Sequence, residues 1–117
     1  MSLQTLSATI PALFLMVTSC TSQRSVEFLG FEGCPNTPEL RERFALAQPS
    51  VQIIDVDLMV LDDEDTRLRW GAPTILVDGV DLFGMPPNEN GSVSCRNWSN
   101  GIPATEEINF AYESQQK

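Results

Sequence analysis

The chain has 117 residues, 42% of them apolar, with eight Pro, seven Gly, three Cys and no His. Sixteen acidic residues against seven basic ones give a formal charge of −9, which argues against binding a phosphate backbone, since that needs clustered Lys and Arg. The missing His excludes Ser-His-Asp and Cys-His catalysis, His-ligated zinc and the helical His-Glu-x-x-His signature. The length suits one compact domain, and any nucleophile in it must be activated by dipoles, desolvation or a carboxylate.

Met1 to Cys20 carries no charged side chain, and its apolar core runs from Ile10 to Val17. That core is too short for a membrane span of roughly 20 residues but suits the h-region of a secretory signal, about 7–15 residues. Val17-Thr18-Ser19-Cys20 resembles the lipobox of bacterial lipoproteins, although no Lys or Arg precedes it. That resemblance implies cleavage before Cys20, a lipid anchor there and a place in the bacterial cell envelope. If the segment is not a signal, the protein is cytoplasmic with an apolar extension. Residues 1–25 are thus a signal and polar tether, and 26–117 the folded domain.

Val26 to Phe31 predicts a central strand covered on both faces. Asn36 and Thr37 suit a helix N-cap, Pro38-Glu39 a first turn, and Leu40, Phe44 and Ala47 one apolar face ending before Pro49. Val51 to Leu58 predicts a second strand. Asp62 to Asp65 then open a short helix whose far end carries Arg67 and Arg69, the orientation the macrodipole favours. Pro73 to Val77 is a third strand, and Asp78-Gly79 a hairpin turn into Val80 to Phe83. A Pro-, Asn- and Gly-rich loop from Gly84 to Gly101 holds Cys95 and Trp98, and Ala104 to Tyr112 closes the chain as an amphipathic helix. The expected order is β-α-β-α-β-β-α, an α/β domain with a mixed sheet.

Cys34 is the candidate nucleophile. It ends an apolar strand and precedes a helix, where backbone N–H groups and the positive end of the dipole favour thiolate. Glu32 and the acidic surface oppose this. Arg96 and Trp98, beside Cys95, offer either help to a thiolate and a stacking surface or a packing anchor. Asp55, Asp57 and the 62–65 run read as solvated carboxylates, because EF-hand spacing is absent. No cofactor or metal is implied.

Phe31-Glu-Gly-Cys34-Pro-Asn-Thr37, Gly71-Ala-Pro-Thr-Ile-Leu-Val-Asp-Gly79 and Ser94-Cys-Arg-Asn-Trp98 resemble, in that order, small thioredoxin-like proteins, including those described as alkylmercury-lyase-like. The resemblance implies a thioredoxin-like fold, Cys34 as the attacking thiol and Pro73 as a cis-Pro, with the Ala72 backbone free to pair with an extended substrate. The chain departs from the dithiol pattern Cys-x-x-Cys by placing Thr37 at the fourth position. A hydroxyl can donate to a thiolate but cannot resolve a mixed disulfide.

Cys95 is therefore the candidate resolving thiol. Three readings of Cys34 and Cys95 stand open: an exchangeable pair acting on protein or small-molecule thiols and disulfides, a structural staple in a non-catalytic binding module, or two thiolates clasping a soft cation such as mercury. As a staple, closing about sixty residues would contribute about 4 kcal/mol in the chain-entropy picture.

Overall fold

The computed structural model describes residues 24–89 and 91–115. The signal reading and the lipidation site Cys20 lie outside them. Strand β1 (Val26–Gly30) is followed by helix α1 (Asn36–Ala47), strands β2 (Ile54–Asp57), β3 (Thr74–Val77) and β4 (Val80–Asp81), and helix α2 (Thr105–Ser114). The four strands form one mixed sheet in the order β2-β1-β3-β4. β1 pairs parallel with β2, Leu29 opposite Val56, and antiparallel with β3, Phe28 opposite Ile75. β4 returns antiparallel on β3 through the Asp78-Gly79 turn, where both residues take positive φ.

Alternation along β1 and β3 sends side chains to two faces of the sheet. On one, Val26, Phe28, Ile75 and Val77 pack under both helices, against Leu40 and Phe44 of α1 and Ile108 and Tyr112 of α2. The rings of Phe44 and Tyr112 lie 6.2 Å apart, edge tilted to face. On the other, Leu29 and Leu76 meet Leu58, Leu68, Ala72 and Cys34. All four residues of β3 are buried, as a central strand requires, whereas edge strand β2 leaves Ile54, Asp55 and Asp57 exposed.

Three expectations are corrected here. The helix expected after Asp62 is not an α-helix; two short 3-10 helices, Leu58–Val60 and Thr66–Arg69, cover the second face instead. Aspartate caps explain this. Asp57 accepts from the Met59 N–H at 2.9 Å, and Asp65 accepts from the Arg67 N–H at 2.9 Å. Asp side chains compete for backbone donors and favour caps over helix interiors, and the stretch is too short to propagate a helix. Helix α1 also starts earlier than the Asn36/Thr37 cap predicts: Pro35 holds the cap position without a side-chain bond. The strands are trimmed as well. β4 ends at Asp81, whose carboxylate accepts from the Phe83 and Met85 N–H groups and so bends the chain away.

Candidate functional site

Cys34 and Cys95, 61 positions apart in sequence, are joined by a disulfide with Cα atoms 5.8 Å apart. Cys34 lies in the turn between β1 and α1, and its carbonyl accepts from the Thr37 N–H at 3.0 Å. That turn is tight. A Cβ on Gly30 would come within 2.7 Å of the Thr37 methyl, so only glycine lets the end of β1 approach the first turn of α1.

The peptide bond Ala72–Pro73 is cis. The Ala72 backbone is not free, however. Its N–H donates to the Ser94 carbonyl at 2.9 Å, and its carbonyl accepts from the Arg96 N–H at 2.6 Å. Ala72 and Cys95 thereby form a parallel bridge outside the named strands. The protein's own chain sits where an extended substrate was expected. Gly71 makes the approach possible: its φ is +78°, and a Cβ there would stand 3.1 Å from the Ser94 carbonyl oxygen.

Arg96 anchors this segment. Its guanidinium bonds Asp81 at 2.6 Å and Thr74 Oγ1 at 3.2 Å, and lies 3.8 Å from the centre of the Trp98 ring. The Arg96 and Asp81 side chains are only 5% and 1% exposed, so the pair is desolvated. Trp98 in turn meets Phe83 edge to face at 5.9 Å. Arg96 is therefore committed to Asp81 and Trp98, and its charge is balanced by that carboxylate. The packing reading of Arg96 and Trp98 is the one the geometry supports.

The two sulfurs differ in environment. Cys34 is 4% exposed and packs among Leu29, Leu58, Leu68, Ala72 and Leu76, whereas Cys95 is exposed. A groove of about 680 Å³ reaches Cys34 from the side of α1, lined by Phe28, Phe31, Pro35, Thr37 and Arg41 among others. Thr37 Oγ1 is buried there without a hydrogen-bond partner.

Of the carboxylates read as solvated, Asp62, Asp63 and Glu64 are exposed, whereas Asp55 and Asp65 are paired with arginines. Arg41 holds Asp55 through two bonds of 2.6 and 3.0 Å. Arg67 bonds Asp65 and Glu27, each at 2.8 Å, and this pairing holds the Asp65 carboxyl at about 2, below the ordinary 3.8. Among the described residues no group of three or more Cys, Asp or Glu is placed to hold a metal ion. No helix among them is long and apolar enough to cross a membrane.

Sequence reasoning reached Cys34, Cys95, Pro73 and Thr37 but missed Asp81 and the internal pairing at Ala72. Asp81 follows a hairpin turn and reads as an outward strand residue. The signal in the sequence was an acid between the apolar Val80 and Leu82 of the expected strand, with Arg96 the neighbour of a cysteine. No family model, no curated protein and no solved structure matches the chain.

Proposed function

We propose that this protein performs thiol–disulfide exchange through Cys34 and Cys95 on a thioredoxin-like fold. The observation that carries the reading is the disulfide itself, which links the turn after β1 to a loop paired with Ala72, beside the cis Ala72–Pro73 bond. The sheet order and two helices on one face are compatible with that fold.

In the closed form, an incoming reductant thiolate meets the exposed Cys95 first. Its sulfur bonds to Cys95, the Cys34–Cys95 bond breaks, and Cys34 leaves as a thiolate. The positive end of the α1 dipole favours that leaving group, and a better-stabilised thiolate leaves faster. A second reductant thiol then frees Cys95 and carries away the oxidised reductant. In the open form, the Cys34 thiolate attacks a client disulfide, and one client sulfur leaves as a thiolate and takes a proton. Cys95 thiolate attacks the Cys34 sulfur, the second client sulfur departs, and the protein disulfide closes. Two electrons have passed to the client. A lipid anchor at Cys20 in the bacterial cell envelope belongs to the same proposal; mass spectrometry of protein from its native host is expected to find the N-terminus at a lipid-modified Cys20, and an intact Met1 would remove it.

A Cys34→Ser variant is expected to lose exchange with a disulfide substrate, with at least a hundredfold fall in rate; unchanged turnover would end the proposal. A second reading, a stapled binding module without turnover, draws on the burial of Cys34. A reduction potential below about −300 mV favours that module, and a more oxidising one favours exchange.

A further inference from the structure

The segment Ser94-Cys95-Arg96 does three things at once. It bonds a cysteine to Cys34, pairs its backbone with both polar groups of Ala72, and places a guanidinium on the buried Asp81. Together these are the contacts an extended cysteine-containing peptide would need to dock beside Cys34. We propose that Ser94–Arg96 is a built-in stand-in for the client, and that the client is an extended peptide whose cysteine is followed directly by Arg or Lys. This rests on the exchange reading and adds to it the recognition of substrate.

The need for a cation comes from Asp81. When the segment withdraws from the open form, Asp81 loses Arg96 and is left as a buried carboxylate supported only by the Phe83 and Met85 amides. An uncompensated buried charge is costly, so a replacement strand is selected for carrying a positive group at the same place. Thr74 Oγ1, in a fully buried residue, supplies a second acceptor for it. Gly71, without a Cβ, leaves room for the docked strand's backbone: a Cβ there would stand 3.1 Å from the Ser94 carbonyl oxygen. The chain's charge of −9 attracts such a peptide in general, but only Asp81 reads where the cation sits.

The steps balance as an exchange. The Cys34 thiolate attacks the sulfur of the docked client cysteine, the Cys34–client disulfide forms, and the client's former partner sulfur leaves as a thiolate. Cys95 then attacks the Cys34 sulfur and the client cysteine leaves as a thiolate. Arg96 returns to Asp81 and Ser94 to Ala72 in the same movement, so closing the disulfide also expels the product from its docking edge.

Position isomers test this on the unmodified reduced protein. Two capped peptides, Gly-Ser-Cys-Arg-Gly and Gly-Arg-Cys-Ser-Gly, carry equal charge and are each joined through Cys to 5-thio-2-nitrobenzoate. The release of that thiol is followed by stopped flow, with each rate divided by the same peptide's rate with a small free thiol. The expected result is a preference of about tenfold or more for Arg after Cys, as a charge-assisted buried hydrogen bond provides. A ratio below about threefold overturns the recognition while leaving exchange in place. Rates no faster than the small thiol for either peptide overturn both.

Discussion

Asp81 and Arg96 have side chains 1% and 5% exposed, and each depends on the other for its charge. Replacing one strands its partner in a poorly hydrated site, at a cost of about 3–5 kcal/mol. Arg96→Met is therefore expected to lower stability by that amount in urea titration, and the double change Asp81→Asn with Arg96→Gln to regain part of it. At Asp65, the bond to Arg67 holds the folded carboxyl at about 2 against an ordinary 3.8. A depressed pKa contributes stability that is fully present above the unfolded value and is lost as pH falls through roughly 4 towards 2. Partial exposure of the pair keeps that contribution to about 1 kcal/mol. Urea midpoints measured between pH 5 and pH 2 are expected to fall less for Asp65→Asn than for the parent. Cys34 stood out in the sequence through a local pattern of strand, break and helix, and the cis bond before Pro73 was expected from the resemblance. The Asp81–Arg96 pair was not, since fifteen positions and a loop separate its members.

Among the elements, α1 and α2 were readable from their apolar periodicity, which Leu40, Phe44, Ile108 and Tyr112 carry into the core. Phe44 is fully buried, and Phe44→Ala is expected to cost about 3–5 kcal/mol by urea denaturation. The 62–69 stretch was misread because charge placement fits an α-helix as well as a 3-10 turn; only the cap at Asp65 and the short length decide between them. The turn from β1 into α1 is set by close approach. Gly30→Ala forces a Cβ against the Thr37 methyl and is expected to destabilise by about 1–3 kcal/mol, measured in the same way. The same change displaces the first turn beside Cys34 and, on the exchange proposal, is expected to slow that reaction even where the fold survives.

For the molecule as a whole, the sheet order was only partly legible. The β-α-β opening and the Asp-Gly hairpin give one parallel and one antiparallel neighbour, but nothing local says that β1 lies between β2 and β3. Nor does local pattern place the 84–101 loop across Ala72, because that loop has no periodicity to read. Its disulfide ties two parts of the chain 61 positions apart, and opening it is expected to cost about 4 kcal/mol through the freedom restored to the unfolded chain. The fold nevertheless has two packed faces around one sheet, and the open form is expected to remain folded. The most direct measurement is therefore thiol mapping of Cys34 and Cys95 by alkylation and mass spectrometry across a series of thiol–disulfide buffers, with circular dichroism recorded on the same samples. Exchange chemistry predicts that both sulfurs open together at a potential above about −300 mV while the fold's signal is unchanged. A disulfide that stays closed until the domain unfolds would contradict it.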